Sequence, residues 1–376
     1  MPENSNPNLK TFLALSLISG LGSKRIKFLA KAFDDPSKIF NLSKTELRSV
    51  ESIGEASALS ILSFNKWDEV DQIIKATEKV KAHIITIADS EYPPHLKQIY
   101  DPPALFWLKG NPEALSKPGI GVIGTRHATS YGKKTAEKLS KALGEQGLCI
   151  FSGLAHGIDA ISHKAALDVK APTVAVLGSG IDNLYPRENA DLANRIVKEG
   201  GAVITEFPLG TAPDAGNFPV RNRIVSGMSL GVLVVESGIK GGSMITADLA
   251  LDQNREVFAV PHSLDNLSGS GCNYLIKTGA AKLVQTVDDI LEELPIDQGE
   301  TSSSTKKELP SPKLWKDEEL DELSKKVCEF LESGEAQIDA IADELELNTS
   351  QLLVTLLQLE MRELVVQKVG KVFSLK

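Results

Sequence analysis

The sequence predicts an α/β protein: a Rossmann-like, doubly wound, mostly parallel sheet with a helical domain before it and a winged-helix domain after it. Three observations predict this. Residues 81–295 alternate short apolar runs with amphipathic helical segments, the pattern of a parallel sheet covered on both faces. Residues 1–80 lack strand alternation and carry apolar positions at helical spacing. Beyond a polar stretch, 296–312, rich in Ser and Thr and ending in two prolines, three helical segments lead into a terminal hairpin.

In the N-terminal domain the helical pattern breaks at two similar places, LISGLGSKRIKFLAKAF (17–33) and LRSVESIGEASALSILSF (47–64). Each is an apolar–Gly turn between helices, as in SAM or helix-hairpin-helix units, with Gly22 and Gly54 as turn residues. In the middle domain nine runs read as strands: 83–88, 104–110, 119–124, 148–153, 173–178, 202–207, 230–236, 256–261 and 281–286. Helical stretches near 130–146, 156–168, 188–199, 218–228, 243–254 and 271–278 separate most of them, and Thr129 is placed to cap the first. Residues 296–312 read as a linker. The C-terminal domain, 313–376, has helical patterns in DEELDELSKKVCEFLESG, AQIDAIADELEL and TSQLLVTLLQLE, then a hairpin with Gly370 in its turn.

At 376 residues the chain exceeds one ordinary core. It has no apolar run of about 18 residues, and MPENSNPNLK lacks the basic-then-apolar order of a signal peptide, so a cytoplasmic protein with no membrane partner is expected. Cys149, Cys272 and Cys328 are far apart and show no CxxC, which argues for core thiols over a zinc site or disulfides. The net charge of −9 argues against a broad basic surface. Its distribution leaves room for a local one, because residues 313–376 hold eight Lys and Arg against fourteen Asp and Glu, whereas 81–293 hold twenty against twenty-three.

Ligands of open α/β sheets bind beyond the carboxyl ends of the strands. Five such loops are legible: 124–126, 152–159, 178–186, 206–227 and 236–247. Four are rich in Gly or Ser and three precede a helix, so backbone amides such as those at Ser152, Gly153, Gly242 and Ser243 are expected to form an anion-binding rim. Arg126, Arg221, Arg223 and Lys240 supply cations, Asn222 a further donor, and Phe218 an aromatic face. Cations that track a backbone beside a ring that takes a base fit single-stranded nucleic acid. The first loop is not a dinucleotide fingerprint, there is no GxxxxGK[ST], and neither a cofactor nor a metal is expected. His156, Asp159 and His163 fall at i, i+3 and i+7 of one predicted helix, but without a second ligand cluster they read as helix-start and packing residues. Glu206 and Glu236 end two strands and are expected to brace turn amides, since no nucleophile with an orienting partner lies nearby in sequence.

The motifs GTRHATSYG, FSGLAHGIDAISHKAAL, TVAVLGSGID, GAVITEFPLG, NFPVRNRIVSGMS, VVESGIKGGSMITA, REVFAVP and GCNYLIKTGA, in this order, resemble the DNA-processing protein A family (DprA/Smf). The resemblance is close over 81–293 and looser in the flanking domains. It implies a bacterial, non-enzymatic protein that binds and protects single-stranded DNA, loads the recombinase RecA in natural transformation, and acts as a homodimer through the Rossmann-like domain. It also implies a basic pocket built from Arg126, Phe218, Arg221, Asn222, Arg223 and Lys240. His262 stands where the family commonly has Gly after the proline. The alternative is a nucleotide-processing hydrolase of the phosphoribohydrolase type on the same fold, whose PGGxGTxxE motif compares with SGIKGGSMIT here, the glutamate preceding the glycines.

Overall fold

The computed structural model describes residues 7–33, 35–295, 320–332, 334, 336–345, 347–362, 364–368 and 372–375. The expected linker 296–312, the turn residue Gly370 of the expected hairpin and its neighbour Lys371 lie outside the described residues. The chain forms two compact units, Met1–Asp297 and Gln298–Lys376.

The first unit opens with five helices: α1 (Pro7–Ser16), α2 (Ser23–Ala32), α3 (Lys44–Arg48), α4 (Glu55–Leu62) and α5 (Trp67–Lys79). Gly22 and Gly54 are the N-caps of α2 and α4, so each glycine of the repeated pattern sits where the chain turns into a helix. The turns are tied together by Arg25, whose guanidinium donates to the carbonyls of Gly20 and Ser52. Helix α3 starts with a capping box, Ser43 and Glu46 each accepting from the other's amide.

Nine strands follow, one for each apolar run: β1 (His83–Thr86), β2 (Leu105–Gly110), β3 (Gly119–Gly124), β4 (Cys149–Ser152), β5 (Thr173–Val176), β6 (Ala202–Thr205), β7 (Gly231–Glu236), β8 (Glu256–Ala259) and β9 (Lys282–Leu283). Between and after them come α6 (Pro94–Gln98), α7 (Ser130–Glu145), α8 (Ile158–Asp168), α9 (Ala190–Lys198), α10 (Asn217–Met228), α11 (Gly242–Asp252), α12 (Ser270–Lys277) and α13 (Asp288–Leu291). The sheet order is β1-β2-β6-β5-β4-β3-β7-β8-β9. The seven strands from β6 to β9 are parallel, and β2 and β1 are added antiparallel at one edge. From β3 the chain winds outward through β4, β5 and β6, then returns to the other side of β3 as β7. The order therefore reverses between β3 and β7, which opens a crevice at their carboxyl ends.

Strand residues alternate between two cores. On β7, Val232 and Val234 join one cluster with Ile224 and Ala247, while Leu233 and Val235 join another with Leu139 and Leu143. Both faces are covered, which is why these strands read as continuous apolar runs. The first cluster also takes in Phe12, Leu13 and Leu29, so the N-terminal helices share their core with the sheet. Cys149, Cys272 and Cys328 are buried and free, and burial pushes their thiols up, Cys272 to about 12 and Cys328 to about 11.

The second unit contains α14 (Glu322–Leu331), β10 (Ala336–Gln337), α15 (Ile338–Glu344), α16 (Thr349–Met361), β11 (Val365–Lys368) and β12 (Val372–Leu375), its strands ordered β10-β12-β11. Leu352, Leu356 and Leu359 of α16 are buried at i, i+4 and i+7, the single stripe that docks a helix on a small core.

Candidate nucleic-acid interface

A cavity of about 350 Å³ occupies the crevice. Its walls come from the loops after β3 (Thr125, Arg126), β4 (Gly153, Ala155) and β7 (Ser237, Gly238, Gly241), and from the starts of α10 and α11. Of the ten residues the sequence singles out, seven line it: Arg126, Gly153, Phe218, Arg221, Asn222, Gly242 and Ser243.

Three do not. Ser152 is wholly buried beneath the cavity, donating to the Val122 carbonyl at 2.6 Å. Arg223 is turned away, because two residues along a helix bring a side chain to nearly the opposite face. Its guanidinium meets Glu206 at 2.6 Å and Asp101 at 3.1 Å. Lys240 is exposed on the loop before α11 and is not part of the cavity wall.

Arg221 is the buried cation of the site, only 5% exposed. One Nη donates to the Val176 carbonyl at 3.0 Å, and Nε has no partner. Burial holds its pKa below the usual arginine range, opposed by the nearby Asp159 and reinforced by Arg126. Room for the guanidinium exists because residue 153 is glycine: a Cβ there would overlap it. Asp159, buried at the start of α8, accepts from the amides of Gly153 and Ala155 at 3.2 and 3.3 Å and so shapes the loop beside Arg221. Burial pushes its carboxyl up, against the pull of Arg221.

Helix α11 presents its N-terminus to the cavity through Gly241, Gly242 and Ser243, and no side chain caps it. The exposed Arg126 lies with its guanidinium carbon 5.2 Å from the centre of the Phe218 ring, and that ring rests against Gly178. The cavity thus combines uncapped amides, a buried cation with a free N–H, an exposed cation and an aromatic side chain.

The two strand-ending glutamates differ. Glu236 braces a turn, its Oε2 accepting from the Thr129 amide at 2.9 Å and hydroxyl at 3.2 Å, and a Cβ on Gly132 would collide with that carboxylate. Thr129 in turn caps α7 by accepting from Gly132 N–H at 3.1 Å. Glu206 braces no turn amide; it holds Arg223, and burial raises its pKa against the attraction of that guanidinium. The proposed helical row His156, Asp159 and His163 is not one row, since α8 starts at Ile158 and leaves His156 in the preceding turn. His163 is fully buried against Thr173. Among the described residues no three His, Cys, Asp or Glu side chains are grouped to hold a metal. His262 sits between Val235 and Asn266, its Nε2 donating to the Val235 carbonyl at 2.8 Å, so the departure at this position is absorbed by a local hydrogen-bond set.

Sequence reasoning missed Thr125, His127, Ser237 and Thr246 of the cavity wall, whose side chains carry no charge pattern to mark them. It also gave no role to Tyr185, whose ring centre lies 6.0 Å from that of Phe218.

Residues 83–295 match the family model for DNA recombination-mediator protein A, and 311–371 match the DprA winged helix domain. The chain belongs to the DprA/Smf family. Among its DprA/Smf relatives, protein Smf of Synechocystis is 32% identical over 97% of this chain and 98% of its own length. DNA processing protein DprA of Bacillus subtilis is 44% identical over 61% of this chain and 77% of its own. The X-ray structure of DprA from Streptococcus pneumoniae aligns with a TM-score of 0.65 at 32% identity, covering 77% of this chain and 98% of that one. DprA from Helicobacter pylori, whose structure concerns a single-stranded DNA binding mode, aligns at 0.52 with 27% identity, covering 56% of this chain and 94% of that one.

Proposed function

We propose that the crevice binds single-stranded DNA and that the chain is a recombination mediator, protecting incoming DNA and loading RecA during natural transformation as a cytoplasmic homodimer. The observation that carries this reading is the anion site made by Arg221, with its buried and unpartnered Nε, at the uncapped start of α11 beside Arg126 and Phe218. A phosphate there meets a fixed cation and free amides, and its base meets an aromatic ring. Family membership and the Helicobacter pylori relative's single-stranded DNA binding mode support the same ligand. No turnover is proposed, because Glu236 is spent on Thr129 and Glu206 on Arg223.

Fluorescence anisotropy with a labelled oligothymidylate and with a duplex of equal length tests the reading. Tighter binding of the single strand, weakened by Arg126→Ala, is expected; equal affinity for both forms argues against it. Base release from nucleoside monophosphates, lost in Glu236→Gln, would install the hydrolase reading instead. RecA loading is tested by whether the protein shortens the lag of RecA filament growth on strands precoated with single-strand binding protein.

A further inference from the structure

Four exposed aromatic side chains of the first unit, Tyr131, Tyr100, Trp67 and Tyr185, differ in what holds them; a fifth, Tyr274, lies on α12, which adds no residue to the cavity wall. Tyr131 donates to the Pro261 carbonyl at 3.2 Å and packs edge-on against His262. Tyr100 receives the Lys24 ammonium. Trp67 packs against Phe40 and Phe64. Tyr185 is 42% exposed, and its one ring contact is Phe218, 6.0 Å between centres with the planes tilted by 45°. It belongs to the loop after β5, which adds no residue to the cavity wall.

Phe218 therefore stands between two different neighbours. Arg126 lines the cavity with it, and Tyr185 extends the aromatic surface beyond the cavity wall. An exposed, tilted tyrosine gains little from leaving its ring half in water, whereas a nucleobase laid on it removes apolar surface from water on both partners. Successive bases of a strand whose phosphate is held at Arg221 and α11 can reach successive rings.

We propose that Tyr185 is a second base-stacking position, so that the site takes two neighbouring bases of one strand, one on Phe218 and the next on Tyr185. This rests on the single-stranded DNA reading of the crevice. Stacking accepts any base, so the subsite adds affinity without sequence preference.

The test uses the full chain and two probes, an oligothymidylate and the same strand with abasic residues. Tyr185→Ala is expected to weaken oligothymidylate binding about tenfold, with the dependence on salt unchanged, because no phosphate contact is removed. It should also narrow the preference for the oligothymidylate over the abasic strand, which a merely structural defect does not do. Tyr185→Phe keeps the ring and should bind like the parent. If Tyr185→Ala binds like the parent while Phe218→Ala is weakened, the second position is overturned and the crevice reading stands. Loss of affinity in Tyr185→Phe as well, or equal loss on both probes, overturns it too. Failure of the parent chain to bind the oligothymidylate removes both readings at once.

Discussion

The guanidinium of Arg221 fills the space that a side chain on residue 153 would need. Gly153→Ala is therefore expected to displace a buried cation without removing it. Losing a charge-assisted hydrogen bond from a fixed donor costs about 1.5–3 kcal/mol, so single-strand affinity should fall roughly ten- to hundredfold. Anisotropy titration against Arg221→Ala checks this: the two variants should be similarly weakened, and a Gly153→Ala protein that binds normally would show that Arg221 does not need its place.

Arg126 and Arg223 provide a contrast within the expected basic set. Arg126→Ala should lower the slope of log affinity against log salt by about 0.7, the share of one phosphate contact on a single strand. Arg223→Ala should leave that slope unchanged and instead lower stability by about 3 kcal/mol, since it strands Glu206 without its buried partner. Salt titrations and chemical denaturation of both variants separate the two roles.

Acid sensitivity should trace in part to His163. Thr173 donates its hydroxyl proton to the Ile150 carbonyl at 2.7 Å, so its oxygen accepts from His163 Nδ1–H, and burial, aided by the charge of Arg221, holds the imidazole pKa at about 3. The unfolded chain takes up a proton near the ordinary value of 6.5 and the folded one does not. Between pH 6.5 and about 3 the unfolded state thus binds more protons, and stability falls as the pH falls through that window, by on the order of 5 kcal/mol in all. His163→Gln removes this titration, and its denaturation midpoint should vary less with pH than that of the parent.

The winged helix is expected to contribute little to DNA affinity. Its α16, in the place where such domains read duplex DNA, has no Lys or Arg and exposes Leu353, Val354 and Leu357. Deleting 313–376 should leave single-strand affinity within a factor of about three, and the isolated domain should fail to shift a duplex at physiological salt. A strong duplex shift would show that the wing outweighs the helix.

Much of this was legible in the sequence, for identifiable reasons. The inner strands are plain in the sequence because both faces of the sheet are covered there, and the cavity loops are plain because tight turns around a crevice need Gly and Ser. What failed was direction. Arg221 and Arg223 look equivalent as letters, yet helical geometry sends one into the crevice and the other to Glu206 and Asp101. Glu206 and Glu236 both end strands, but only Glu236 has a turn amide within reach. Spacing alone draws His156 into α8, whereas Gly157, with φ +76°, is the N-cap that starts the helix at Ile158. Nor does the run 281–286 show that only Lys282 and Leu283 pair with β8.

The join between the helices and the sheet bears on how this protein can be dissected. Trp107 of β2 donates its indole N–H to Thr77 of α5 at 2.9 Å, and Phe12, Leu13 and Leu15 of α1 belong to the same core as Phe106. A recombinant fragment cut at residue 81 would carry a wet tryptophan and a bare apolar flank, and would be a sticky reagent. Genetic truncations made there to ask what the helices do for DNA would report first on solubility; point changes on the outer helix surfaces put that question without cutting the core.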